Sequence, residues 1–267
     1  MYIKKAISKL YKKLIFIFKK KINLDKQNLD LKSLNELFNY FGTDKGTEVI
    51  NPYAKDSNDS NKILTGHGYG DFYETHLNIY KNINIKILEI GTWKGAGVAA
   101  FYHYFKKAII FCVDRNFKFQ YKSNRVNFFN MNTENILDVV KLENFFKKKK
   151  VEYLDIIIDD GSHKYLDILN NFKNFFKRIK PGGYYIIEDF NHYKQYSETS
   201  DTPSNSLDIE DILQYLKKKI FFNSTTLNRE FQSFCFENIS DITIHKGNEE
   251  FSYIVFIKKI ELKNSEI

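Results

Sequence analysis

The chain has 267 residues, 41 basic and 33 acidic, for a formal charge of +8 with histidine neutral. Apolar residues make up 43%, enough to fill a core, so disordered and collagen-like classes are excluded; the length suits one to two domains. Two cysteines, Cys112 and Cys235, cannot build a disulfide framework and suit a reducing compartment, and no stretch approaches the ~20 uncharged residues of a membrane span.

The basic balance suits nucleic acid, anionic lipid or a phosphorylated substrate, and equally the Lys, Asn, Ile and Phe usage of an AT-rich genome. Residues 1–24 open with MYIKKAISKLYKKLIFIFKKK. Ile3, Ile7, Leu10, Leu14 and Ile17 alternate spacings of four and three among lysines, which predicts a basic amphipathic helix. LIFIF is too short for a secretory signal, and lysines rather than a small-residue cleavage site follow it. Three readings of this helix stay open: a membrane-surface helix, an oligomer seam, or a helix packed on its own domain.

Residues 34–80 hold FGTDKGT (Phe41 to Thr47), a polar loop, and HGYGDFYETHL (His67 to Leu77). From residue 85 the texture becomes strands alternating with helices. KILEIG, AIIFCVD, RVNFFN, LDIIIDDGSH and GGYYIIEDF read as five strands, with helices such as LDILNNFKNFFKRIK between them. Near-continuous apolar strands of this kind belong to a mostly parallel sheet covered on both faces. NHYKQYSETSDTPSNS reads as a loop long enough to act as a lid. A helix follows from about Ile209 to Lys219, and SFCFENISDITIHKG and FSYIVFIKK read as two closing strands. The divisions are an N-terminal extension (1–33), a helical cap contributing to the site (34–84) and the main α/β domain (85–262).

ILEIGTWKGAG places a glycine-rich turn after the first of these strands. A dinucleotide fingerprint needs small residues where the backbone meets a pyrophosphate, whereas Thr92 and Trp93 follow Gly91 here. Glu89 at the strand end would repel a pyrophosphate but welcome the ammonium and sulfonium of S-adenosylmethionine. Asp114 closes the second strand, where a carboxylate can accept hydrogen bonds from a ribose diol. Glu89, Gly91, Asp114 and Asn132, after the third strand, are the candidate cofactor-binding residues, and the fold expected is Rossmann-like, of the class I methyltransferase kind.

LDIIIDDGSH carries the most chemistry. Asp159 and Asp160 emerge at the carboxyl end of a buried strand, where open α/β sheets bind ligands, and His163 follows a glycine that permits a tight turn. Asp159 is assigned to the cofactor side. Glu188 and Asp189 end the next strand, so Asp160, Glu188 and Asp189 offer three hard oxygen ligands suited to Mg²⁺. Zinc is disfavoured, because no second His or Cys stands at ligand spacing. Since neighbouring strand residues face opposite ways, Glu188 and Asp189 can share one ion only where the strand has already ended. Tyr69, His67 and His192 flank the presumed site, with Tyr69 and His192 as candidate acceptor contacts. His103 and His245 fall within helix and strand patterns and carry no assigned chemistry, and Lys147–Lys150 end a helix, where cations favour the dipole.

FGTDKGT, HGYGDFYE, LEIG, DIIIDDGSH and PGGYYIIEDF together resemble the metal-dependent sugar O-methyltransferases of macrolide tailoring, the mycinamicin VI and macrocin O-methyltransferase family, over about residues 38–260. The resemblance implies S-adenosylmethionine and Mg²⁺ as cofactors, Asp160, Glu188 and Asp189 as metal ligands, and His163 as general base. Two departures border the acceptor or the cofactor: a shorter loop after LEIG, and Asp167 where the family often has histidine. The expected activity is methylation of a sugar hydroxyl, on a nucleotide-linked sugar or a capsule or other surface polysaccharide. A small diol or natural-product acceptor, and a basic membrane- or nucleic-acid-binding module without catalysis, are the alternatives. The further expectations are a cytoplasmic homo-oligomer at or near the inner membrane face, with peripheral lipid contact through residues 1–24 and no nucleic acid.

Overall fold

Short apolar runs, each stopped by a polar or glycine turn, build the centre of the molecule. The computed structural model describes residues 13–50, 62–196 and 202–261. In chain order the elements are β1 (Ile22–Asn23), α1 (Leu34–Phe41), β2 (Glu48–Ile50), β3 (Ile63–Thr65), α2 (Gly70–Leu77) and β4 (Lys86–Ile90). Then come α3 (Ala96–Tyr104), β5 (Ile109–Asp114), β6 (Tyr121–Lys122), β7 (Val126–Asn130), α4 (Ile136–Lys148) and β8 (Leu154–Asp159). The chain continues through α5 (Tyr165–Phe175), β9 (Ile179–Glu188), α6 (Ile209–Lys218), α7 (Arg229–Asn238), β10 (Ile239–Lys246) and β11 (Tyr253–Lys259).

Seven strands form one sheet in the order β10-β11-β9-β8-β4-β5-β7. Strands β9, β8, β4, β5 and β7 run parallel, while β11 and β10 close the edge antiparallel. The side-chain period of two divides the core between the faces. Leu88, Ile90, Ile157, Tyr185 and Ile187 pack with α4 to α7 on one face. Ile87, Ile156, Ile158, Tyr184 and Ile186 pack with α1 to α3 on the other. Glu89 and Glu188 share the parity of the second set and Asp159 that of the first, so the sheet itself sends these acids to different faces.

Two expectations need correction. SFCFENISDITIHKG is helix through Asn238 and strand only from Ile239. The Asn228 side chain caps this helix by accepting from the Phe231 amide, and Phe231 and Cys235, one helical turn apart, are buried in the core. The N-terminal segment is not one helix to residue 24. Residues 13–18 are helical, but Ile22 and Asn23 pair in parallel with β6, and Leu24 is buried. The expected helix over residues 1–12 lies outside the described residues, as do residues 197–201 of the expected lid. Among the described residues, no helix is long and apolar enough to cross a membrane.

Candidate active site

A cavity of about 380 Å³ opens at the carboxyl ends of β4, β5, β7 and β8, the end where parallel sheets bind ligands. Glu89, Gly91, Asp114 and Asn132 all line it, together with Asp160, His163 and Asp167. Gly91 has φ +89°, and a Cβ there would lie 1.8 Å from the Asp160 carbonyl oxygen. No side chain is tolerated where this turn passes the β8 turn. Gly97, in the first turn of α3, is confined by side chains: a Cβ would come within 2.7 Å of Glu89 Oε1.

Glu89 is 1% exposed, and its Oε2 has no hydrogen-bond partner. Burial pushes its pKa up to about 8. An unpartnered buried carboxylate oxygen beside a cavity is costly unless a cation or donor completes it, which fits the ammonium end of S-adenosylmethionine. Asp114 accepts from the Trp93 amide through Oδ2 at 2.8 Å and from the Asn116 amide through Oδ1 at 2.6 Å. Its carboxylate therefore fixes the rim on both sides while lining the cavity. Asn132 accepts from the Glu134 amide at 3.3 Å. Asp167 accepts a hydrogen bond from the Ser162 hydroxyl, and burial raises its pKa.

Asp159, expected among the cofactor-binding residues, does not line the cavity. It faces α5, where it accepts from Asn171 Nδ2 at 3.1 Å and the Tyr185 hydroxyl at 3.4 Å. The alternation of β8 explains the separation, since adjacent aspartates at a strand end point to opposite faces.

The acidic half of the site is assembled from distant segments. Lys45, 2% exposed, places its Nζ between Asp160 Oδ2 and Glu188 Oε2, the latter at 2.6 Å. Burial alone would lower the lysine pKa, but Asp160, Glu188 and Glu89 together hold it well above its usual value, so it stays an ammonium. The Tyr73 hydroxyl donates to Glu188 Oε1, and the Tyr69 hydroxyl donates to Asp189 Oδ1 at 2.5 Å. Tyr69 thus holds an acid in place. Asp189 leaves β9 with φ 52°, which turns its side chain out of strand alternation. His67 Nε2 lies 3.5 Å from Asp189 Oδ2 and bonds Ser252 through Nδ1.

His163 has φ 55°, strain that persists only where surrounding structure imposes it. Its Nε2 is 3.6 Å from Asp160 Oδ1, and burial lowers its pKa. One ligand atom each from His163, Asp189 and His192 lie within 4.8 Å of one another, an arrangement that can hold a metal ion. The donor set can take a divalent cation but differs from the three carboxylates expected, because His192 supplies a second imidazole that no sequence spacing announced. Carboxylates already surround one cation, the Lys45 ammonium, and Asp189 with two imidazoles stands beside them.

His103 stacks on Phe41, with centroids 5.5 Å apart, and burial lowers its pKa to about 4. His245 Nε2 meets His76 Nε2 at 2.8 Å, away from the cavity. Sequence reasoning missed Lys45 and Tyr73. Both lie inside strings already singled out, FGTDKGT and HGYGDFYE, but nothing in their spacing links them to strand ends more than a hundred residues away.

Residues 88–190, less than half of the chain, match the family model described as a methyltransferase domain. Among curated proteins, the chain is 28% identical over 135 residues to a demethylmacrocin O-methyltransferase of Streptomyces fradiae, covering 46% of this chain and 32% of that protein. It is 27% identical over 132 residues to a mycinamicin VI 2''-O-methyltransferase of Micromonospora griseorubida, covering 46% and 31%. A crystal structure of the MycE methyltransferase of mycinamycin biosynthesis, in complex with Mg and SAH, superposes with a TM-score of 0.63 at 20% identity, over 89% of this chain and 57% of that one. The matches thus span about a third of the length of these curated relatives and establish a shared fold.

Proposed function

We propose that this protein transfers the methyl group of S-adenosylmethionine to a sugar hydroxyl, with Mg²⁺ as its second cofactor. The carrying observation is that one cavity is lined by an unpartnered buried carboxylate, Glu89, and by Asp160 and His163, and that His163 also stands in a possible metal-holding group with Asp189 and His192. The curated relatives are named as a demethylmacrocin O-methyltransferase and a mycinamicin VI 2''-O-methyltransferase, and the MycE structure carries Mg and SAH.

Glu89 would hold the donor ammonium and Asp114 the ribose diol, while Gly91 would let the backbone approach. Asp160, Glu188 and Asp189 would hold Mg²⁺, whose chemistry there is to acidify a coordinated hydroxyl. Asp160 Oδ1 lies 3.6 Å from His163 Nε2, and one oxygen of Asp189 comes within 4.8 Å of a His163 ring nitrogen. Glu188 has both oxygens engaged, by Lys45 and Tyr73, and joins only if the lysine releases it. His163, neutral at pH 7 because burial lowers its pKa, accepts the hydroxyl proton. S-adenosylmethionine, when bound, would supply a methyl group on a sulfonium that leaves as the neutral thioether, and alignment of the acceptor with it would contribute much of the rate.

For the acceptor we propose a nucleotide-linked or surface-polysaccharide sugar. The net charge of +8 and the exposed Lys94 and Arg115 at the cavity rim favour an anionic carrier. The test is mass spectrometry of nucleotide sugars incubated with the protein, S-adenosylmethionine and Mg²⁺. A product heavier by one methylene, formed with S-adenosylhomocysteine and abolished reversibly by EDTA, is expected; donor binding without methylation of any hydroxylated acceptor would overturn the reading.

A further inference from the structure

Residues 13–18 turn most of their apolar side chains outward. Leu14, Ile15, Ile17 and Phe18 are 46%, 50%, 58% and 83% exposed. Phe16 alone is pinned to the domain, with ring centroids 5.5 Å from Phe117 and 5.4 Å from Phe128. Lys21 Nζ caps that ring at 3.8 Å. A helix formed to cover its own domain would bury Leu14 and Ile17, which the sequence pattern aligns on one stripe; here they face solvent, among the exposed Lys13, Lys19 and Lys20.

The same character continues on the adjoining surface. The Ile22 amide donates to the Gln120 carbonyl at 2.9 Å, and the Gln120 amide to the Lys94 carbonyl at 3.0 Å. These bonds tie the segment to the turn bearing Trp93, which is exposed, with Lys118 Nζ 4.3 Å from its ring centroid. Arg115 and Lys122 are exposed on the same stretch. The residues ahead of the described segment, MYIKKAISKLYK, repeat the mixture of lysine and aliphatic residues.

We propose that this face docks on an anionic lipid surface, with Leu14, Ile15, Ile17 and Phe18 entering the headgroup–acyl boundary and the surrounding lysines meeting anionic headgroups. Lipid satisfies both halves of the pattern, since apolar side chains are buried and cations are neutralised. A second copy of the chain would bring the lysines of two like-charged faces together. RNA would neutralise the lysines but leave three exposed aliphatic side chains with nothing to cover them. The docking places the cavity rim at Trp93 beside the bilayer and does not depend on the catalytic reading.

The experiment is flotation of the full chain with phosphatidylcholine vesicles, with and without phosphatidylglycerol, in low and high salt. Binding to phosphatidylglycerol vesicles that weakens with salt is expected, falling at least tenfold in Ile17→Asp/Phe18→Asp. Each exposed lysine near an anionic surface is worth roughly a fivefold factor, so Lys19→Glu/Lys20→Glu should also fall at least tenfold. Circular dichroism and calorimetric donor binding, unchanged in both variants, certify folding. No vesicle binding, binding untouched by both substitutions, RNA binding in its place, or a dimer that buries Phe18 would each overturn the proposal.

Discussion

The two halves of the site are built differently. The proposed donor half comes from one run of chain: Glu89, Gly91, Asp114 and Asn132 lie on successive strand ends and turns between β4 and α4. The acidic half is gathered from three regions, with Lys45, Tyr69 and Tyr73 of the cap brought onto Asp160, Glu188 and Asp189. A site made of neighbouring strand ends is set by the sheet alone. A site made across layers exists only once the cap has docked, and its charges must be compensated during folding.

The largest effect should test the acidic half directly. His163→Ala should lower methyl transfer by roughly 10²–10⁴-fold, the range for a lost general base, while the calorimetric donor affinity stays within twofold. Turnover near that of the parent would remove His163 from the reaction; a parallel loss of donor binding would move it to the donor half.

Lys45 should divide the halves by stability. Lys45→Met removes the ammonium but keeps the stem, leaving Asp160 and Glu188 as buried like charges. Breaking a buried pair in this way costs about 3–5 kcal/mol. The urea midpoint should fall accordingly, and a divalent ion should restore part of the loss. A variant as stable as the parent would show that the ammonium does not hold the carboxylates.

This contrast also explains how far the sequence could be read. The parallel sheet was legible because KILEIG, AIIFCVD and LDIIIDDGSH are apolar runs with acids at their ends, and the strand order puts those ends together. Lys45 was not, because a lysine after GTD has no local pattern that announces burial. Asp159 was misplaced for a simpler reason: two adjacent acids were read as one feature, although the strand separates them. The helix at Arg229–Asn238 escaped because a short apolar run fits a strand or a buried helix equally well.

In the donor half, Glu89→Gln should weaken S-adenosylmethionine about 10- to 150-fold, from the ~1.5–3 kcal/mol of a charged hydrogen bond. The parent should also show a pH dependence that the variant lacks. With its pKa near 8 in the free protein, Glu89 is protonated at neutral pH, and a bound cation needs the carboxylate. Donor affinity therefore rises as pH rises toward 8. Titration calorimetry across that range checks both statements, and a flat profile in the parent would detach Glu89 from the ammonium.

The remaining effect concerns the acid that faces away. Burial raises the Asp159 pKa to about 7, against an ordinary value near 3.9 in the unfolded chain. Between these values the folded state keeps a proton that the unfolded state has lost. Stability from this group is therefore fullest below pH 4 and declines as pH rises toward 7, by at most about 1.4 kcal/mol per pH unit. Asp159→Asn carries no charge at any pH and retains an oxygen for Asn171, so its urea midpoint should change less between pH 5 and pH 8 than that of the parent. Its donor affinity should stay within twofold, because the side chain lies on the α5 face of the sheet. A large loss of donor binding would mean that β8 presents both aspartates to the cavity, and the division between the two faces would fail at the strand where it matters most.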